Sequence, residues 1–174
     1  MKSITLTGVS LSHEQVTAVA YGASVVLDTE KLLAVAKTAE FLALQVKQQQ
    51  PLYGVSTGFG SNADKLLGAH HIRATHNTNE TLLEELQRNL IITHAVCVGE
   101  PFAVEVVRAM MVIRINTLMR GHSGIRVETL QALTSMLNAG IAPIVPQLGS
   151  VGASGDLAPL SHLAIVLLGG GEAF

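Results

Sequence analysis

The sequence predicts a mainly α chain with long, glycine-bearing loops and at most a short strand, and three observations carry that prediction. Apolar residues recur at intervals of three and four along several long stretches. Glycine and proline fall between those stretches, where they end helices and open loops. Apolar–polar alternation, the mark of a half-buried strand, shows at Ile4-Thr5-Leu6.

In chain order, Ser12-His-Glu-Gln15 has the spacing of a capping box and opens the first helix. From Thr29 to Gln48, Leu32, Leu33, Ala36, Ala39, Ala43 and Val46 recur at helical spacing, with Lys31, Lys37, Glu40 and Lys47 largely on other faces. Pro51 stops that helix. The stretch "YGVSTGFGS" follows as a loop in which Gly54, Gly58 and Gly60 can take positive φ. A helix is then predicted over Asn79–Val98. The clearest helix is Pro101–Arg120, where Pro101 suits a first turn and Val104, Val107, Met111, Ile115 and Leu118 form one stripe. Gly121 ends it. A further helix, Ile125–Asn138, carries Leu130, Leu133 and Leu137 and ends at Gly140, after which Pro143 and Pro146 forbid continuation. The extended "APIVPQLGSVGASG" delivers the chain into a last helix beginning near Asp156. No repeat and no linker divides residues 1–174, so they read as one unit.

At 174 residues the chain is long enough for a real core. Hydrophobic residues make up 48% and charged residues 14%, with mean hydropathy +0.42. That is more apolar surface than a soluble monomer of this size usually hides, so part of it is expected to be buried against other chains or further sequence. A net charge of −2 gives no footprint for nucleic acid, and no Lys/Arg cluster suits an anionic membrane. Small molecules and protein partners remain. The single cysteine, Cys97, excludes an internal disulfide framework, fits a reducing compartment and, flanked by Ala95, Val96 and Val98, reads as a packing residue. The start lacks the apolar core of a signal peptide, and the apolar run Leu157–Leu168 is too short to span a bilayer, so a cytoplasmic location is expected. The end, Gly169 to Phe174, follows an apolar helix without a polar tail and reads as cut.

Several groups are candidates for chemistry. Gly54-x-x-x-Gly58-x-Gly60 lacks the Lys-Ser/Thr of a phosphate loop and does not fit G-x-G-x-x-G. What remains is either an ordinary turn or a loop that swings Tyr53 over a site as acid or base. His94, in the apolar "NLIITHAVCVG", is a satisfied core histidine or a ligand-facing one. His70, His71 and His76 have no Cys or carboxylate pattern to complete a metal site, so they are assigned to solvent and no metal is expected. Ser154 is not a hydrolase nucleophile elbow, because Asp156 stands where that motif needs glycine. Asp156 reads as an N-cap or first-turn residue favoured by the helix dipole. The tight turn Ala153-Ser154-Gly155 offers covalent chemistry. Attack of the Gly155 nitrogen on the Ala153 carbonyl with loss of water closes an imidazolone ring, and loss of the Ser154 hydroxyl leaves an exocyclic methylidene. The product is a strong electrophile that needs no added cofactor.

At these residues the sequence resembles the aromatic amino-acid ammonia-lyase family. "GSVGASGDLAPLSHLA" is similar to the segment that forms that family's 4-methylidene-imidazol-5-one, and "YGVSTGFG" to its mobile tyrosine loop. "LQRNLIITHAVCVG" and "INTLMRGHSGIR" also resemble the family, so the likeness runs from about Leu52 to Gly170. It implies the N-terminal part of a helical lyase fold and a prosthetic group formed from Ala153, Ser154 and Gly155. It also implies a substrate amine that adds to the methylidene and Tyr53 as the base for the β-proton. Gly60 and the pair Thr93-His94 are the implied substrate-side residues, and that pair resembles the Ser-His of the histidine-specific branch. The implied reaction is L-histidine to urocanate, with tyrosine or phenylalanine elimination, or an aminomutase, as the alternative. Members continue for several hundred residues and assemble as homotetramers with shared active sites, which implies that this chain alone is inactive. A non-catalytic helical interaction module is the competing expectation.

Overall fold

A computed structural model describes residues 3–58, 60, 82–152 and 155–174. Near the N-terminus, β1 (Ile4–Leu6) and β2 (Val25–Leu27) pair in parallel, Ile4 opposite Val25 and Leu6 opposite Leu27. A parallel pair needs a crossover, and α1 (His13–Ala20) supplies it. The capping box expected at Ser12 is present: Gln15 N–H donates to Ser12 Oγ, and Ser12 N–H donates to Gln15 Oε1 at 2.9 Å.

Helix α2 (Thr29–Lys47) starts where the sequence places it, with Asp28 accepting from Lys31 N–H at 2.9 Å. Its buried face overlaps the predicted one, with Leu32, Ala36, Ala39 and Val46 half-buried, but is centred elsewhere. Val35 is the fully buried position, whereas Leu33 is 65% exposed. Thr38 Oγ1 donates to the Gly121 carbonyl, and a Cβ on Gly124 would meet Leu42 at 2.5 Å, so this helix faces the chain through residues 35, 38 and 42.

The core is built on α4 (Val104–Leu118), which packs against α1 and α5 (Val127–Asn138). Val107, Met111, Ile115 and Leu118 are buried, Val104 packs on the edge, and Leu130, Leu133 and Leu137 face them from α5, as the periodicity predicts. The helix begins later than expected. Pro101 belongs to β3 (Val98–Pro101), which pairs antiparallel with β4 (Pro146–Leu148), Val98 opposite Leu148 and Pro101 opposite Pro146. The preceding α3 (Leu82–His94) therefore stops four residues short of Val98. The run Ala95-Val96-Cys97-Val98 is apolar at every position, so it carries no period that could distinguish the end of a helix from the start of a strand. Helix α6 (Leu157–Leu167) packs on α3.

Polar clamps join these pieces. The buried Arg108 guanidinium donates to the carbonyls of Val19 at 3.0 Å, Leu137 at 2.8 Å and Ala23 at 3.4 Å, which ties the ends of α1 and α5 to α4. Asn138 acts as a surrogate strand for Val25, accepting its N–H at 2.8 Å and donating to its carbonyl at 2.9 Å. Gly8 takes φ +78° where a Cβ would lie 2.7 Å from Arg120 N, so only glycine lets this turn close on the end of α4. Among the described residues no buried side-chain polar atom lacks a partner, and no helix is long and apolar enough to cross a membrane.

Candidate active site

Two segments far apart in sequence converge on one cleft. The first is the last turn of α3. Thr93 Oγ1 donates to the Asn89 carbonyl at 2.7 Å, and His94 Nδ1 lies 2.8 Å from the Leu90 carbonyl. A carbonyl can only accept, so Nδ1 carries a proton, and in that tautomer Nε2 is the acceptor. The half-buried His94 is thus a satisfied helix histidine at one nitrogen and a ligand-capable group at the other.

The second segment is the loop from Gly149 to Asp156. Gly149, Gly152 and Gly155 all have positive φ, and so does Asp156, at φ +53° and ψ +61°. Asp156 occupies the N-cap position but does not cap the helix with its side chain. Its Oδ1 instead accepts from Gly152 N–H at 3.0 Å and from the Ser150 hydroxyl, so it folds the glycine loop back on itself. The N-cap position expected of Asp156 is thus found, with its carboxylate bonded to the loop in place of the helix amides. The Ser150 and Gly152 contacts were not anticipated from the sequence. A Ser-x-Gly stretch ahead of Asp is the signal that points to them.

Thr93, His94, Val96, Gly149, Ser150, Val151, Gly152, Asp156, Leu157 and Ala158 line a cleft of about 210 Å³. The predicted substrate-side pair and the described residues flanking the predicted prosthetic-group turn thus line one cleft. Ala153 and Ser154 lie outside the described residues. Gly155 is exposed, with φ +102°, a value that favours glycine on backbone grounds.

Tyr53 is not brought into this cleft. It is 66% exposed on a turn in which the N–H groups of Val55, Ser56 and Thr57 all reach the Leu52 carbonyl, and Ser56 Oγ accepts from Leu52 N–H at 2.9 Å. Gly60 N–H lies 3.5 Å from the Tyr53 hydroxyl, so these two predicted site residues meet each other. Cys97 is buried, as expected of a packing residue, and burial with the nearby Asp156 charge pushes its thiol pKa up. His70, His71 and His76 lie outside the described residues, among which no group of three His, Cys, Asp or Glu is placed to hold a metal.

Large apolar side chains ring the cleft in the open. Val96, Val98, Leu148, Val151 and Leu157 are between 57% and 88% exposed. This is the surplus apolar surface that the composition forecast.

The sequence profile of the aromatic amino acid lyases matches residues 11–174. A histidine ammonia-lyase of Symbiobacterium thermophilum is 48% identical over 167 residues, which cover 95% of this chain and 31% of that protein. Among solved structures, histidine ammonia-lyase from Trypanosoma cruzi superposes with a TM-score of 0.83 at 38% identity, over 99% of this chain and 31% of that one. Tyrosine aminomutase from Streptomyces globisporus gives a TM-score of 0.84 at 34% identity, over 99% and 30%. The chain therefore spans about a third of the length of the relatives it matches. A helical fold with short strands, a cleft shared by Thr93-His94 and the glycine loop, and these matches agree that the chain belongs to the aromatic amino acid lyase family.

Proposed function

We propose that this chain is the N-terminal part of an ammonia-lyase that eliminates ammonia from an aromatic L-amino acid, with L-histidine as substrate and urocanate as product. The observation that carries the reading is that Thr93 and His94 line one cleft with Gly149, Ser150, Gly152 and Asp156. The prosthetic group expected from Ala153, Ser154 and Gly155, formed with loss of two waters, supplies the electrophile that holds the substrate's amine. His94 Nε2, left as an acceptor by the Nδ1 bond to Leu90, receives the N–H of a substrate imidazole. Asp156 keeps the loop folded, and Tyr53, brought over the cleft by its glycine-flanked loop, takes the β-proton as ammonia leaves. The exposed apolar ring around the cleft is covered by further chain in a cytoplasmic homotetramer, and the 174-residue chain alone is inactive.

A second reading has its own support: an acceptor at His94 Nε2 also suits a phenol O–H, and a structural neighbour is a tyrosine aminomutase. The test is a full-length protein carrying this chain at its N-terminus, incubated in turn with histidine, tyrosine and phenylalanine while the conjugated acid product is followed by ultraviolet absorbance. Signal with histidine alone is the expected result. Signal with tyrosine or phenylalanine moves the substrate to the second reading, and silence with all three rejects ammonia elimination. In the same protein, Ser154→Ala is expected to lower turnover by at least ~10³-fold, about 4 kcal/mol of barrier. Normal turnover in that variant sinks the prosthetic-group assignment.

A further inference from the structure

We propose that His162, on α6, is a positioning residue for this reaction: by accepting the Cys97 amide it fixes the corner after Thr93 and His94 and sets that pair against the Gly149–Asp156 loop. The inference rests on the function proposed above and adds a residue outside the lining of the cleft.

The backbone after α3 shows why one contact matters. Ala95 N–H still reaches back to the carbonyls of Ile91 and Ile92, and Val96 N–H folds onto the His94 carbonyl at 2.9 Å. Cys97 N–H is the first amide beyond the helix to leave the local chain. It donates to His162 Nε2 at 3.1 Å, across 65 residues of sequence. At the next residue, Val98, the pairing with Leu148 begins. His162 thus pins the corner between a helix that ends in the substrate-side pair and a strand that pairs with the one leading into the glycine loop.

The same corner supports the loop. At Gly149 an added Cβ would lie 2.8 Å from Cys97 Sγ and 2.9 Å from Cys97 Cα, so the first residue of the loop rests on the residue that His162 holds. Three segments, the end of α3, the start of the loop and α6, therefore meet at Cys97.

The chemistry of the contact is one-directional. An amide N–H only donates, so Nε2 presents its lone pair and the ring is neutral with its proton on Nδ1. Burial lowers the His162 pKa below its ordinary value and favours that same neutral state. Without the acceptor, a half-buried amide loses its partner and the corner is free to shift. Because His162 is not among the described residues that line the cleft, that shift changes how substrate is held more than how bonds break.

The test compares the full-length lyase carrying this chain with its His162→Leu, His162→Gln and His162→Asn variants. Leu fills space without an acceptor, Gln places an amide oxygen at the reach of Nε2, and the shorter Asn does not. For His162→Leu and His162→Asn, KM for histidine is expected to rise about tenfold and preference for histidine over tyrosine to fall by a similar factor, the scale of one lost hydrogen bond to a buried donor. Turnover number should stay within about threefold, and His162→Gln should return KM to within about threefold of the parent. Hydrogen exchange at the Cys97 amide should speed up in Leu and Asn but not in Gln. If His162→Leu fails to assemble, the contrast between Gln and Asn decides.

The proposal is overturned if Cys97 exchange quickens while KM and preference stay within about twofold. It is equally overturned if kcat and KM fall and rise together without rescue by Gln, because that marks a merely structural role. A parent protein that turns over none of the three amino acids rejects the proposed function, and the role of His162 falls with it. Cys97 exchange still reports whether the tether exists, so the two failures read apart.

Discussion

Arg108 and Asp156 both use a charged side chain to hold backbone, but over very different distances along the chain. Arg108 reaches carbonyls 89, 85 and 29 residues away from inside the core. Asp156 accepts from residues four and six positions back, at the surface. The region around α1, α4 and α5 is thus closed by burial and distant partners, and it resists local opening. The cleft side combines the local Asp156 turn with the β3–β4 pairing and the Cys97–His162 contact, and leaves large apolar side chains exposed. The packed side supplies the frame.

The sharpest way to separate the two regions is to remove chemistry without touching packing. In the full-length protein carrying this chain, Tyr53→Phe should lower turnover by ~10²–10⁴-fold, the usual worth of a positioned acid or base, and leave the urea midpoint unchanged. Loss of stability there would show that the tyrosine turn belongs to the frame. Next in size is Arg108→Met, which keeps the bulk and removes the one donor that ties three carbonyls to α4, of which those of Val19 and Leu137 still accept from Gly22 and Gly140 N–H. It should cost about 3 kcal/mol in urea unfolding. A cost near zero would mean that the core does not depend on the guanidinium. Asn138→Ala removes both contacts to Val25 and should cost ~1–2 kcal/mol by the same measurement, with the loss centred on β1 and β2 in hydrogen exchange.

The smallest effect is a pH dependence at the corner between the regions. Burial places the native pKa of His162 below its ordinary value of 6.5, so the unfolded chain takes up the proton first. The stability contributed by the neutral ring is therefore complete above pH 6.5 and is lost as pH falls through the native value. Urea midpoints measured from pH 8 down to 5 should show this decline in the parent and a shallower one in His162→Gln. Cys97 moves the other way, because burial first and Asp156 second keep its thiol protonated. It should react more slowly with iodoacetamide than a free thiol at pH 8, and equal rates would place Cys97 in the open cleft.

Legibility in the sequence follows the same division. The stripe Val107, Met111, Ile115, Leu118 was readable because a helix repeats its face every three or four residues and both partners obey that rule. The face of α2 was readable only in part: Leu32, Ala36, Ala39 and Val46 lie on it, but its centre at Val35, Thr38 and Leu42 meets Gly121 and Gly124 from more than 80 residues away. His162 looked like an interruption in an apolar run, and its acceptor role depends on an amide that no spacing rule connects to it. The pair Thr93-His94 and the glycine loop were readable as motifs, but their meeting in one cleft was not.

The sequence by itself determined the helical class, the capped start of α1, the buried stripes of α4 and α5, and the residue types of the candidate site. These are local properties: periodicity, capping and glycine's access to positive φ act over a few residues. Only the tertiary structure decided that Val35 centres the buried face of α2, that Pro101 pairs in a strand, that the Asp156 carboxylate bonds Ser150 and Gly152, and that Cys97 sits beneath His162 and Gly149. Each of these depends on a partner distant in sequence or on a left-handed backbone, and such choices are settled by packing and hydrogen bonds that exist only when the chain has folded.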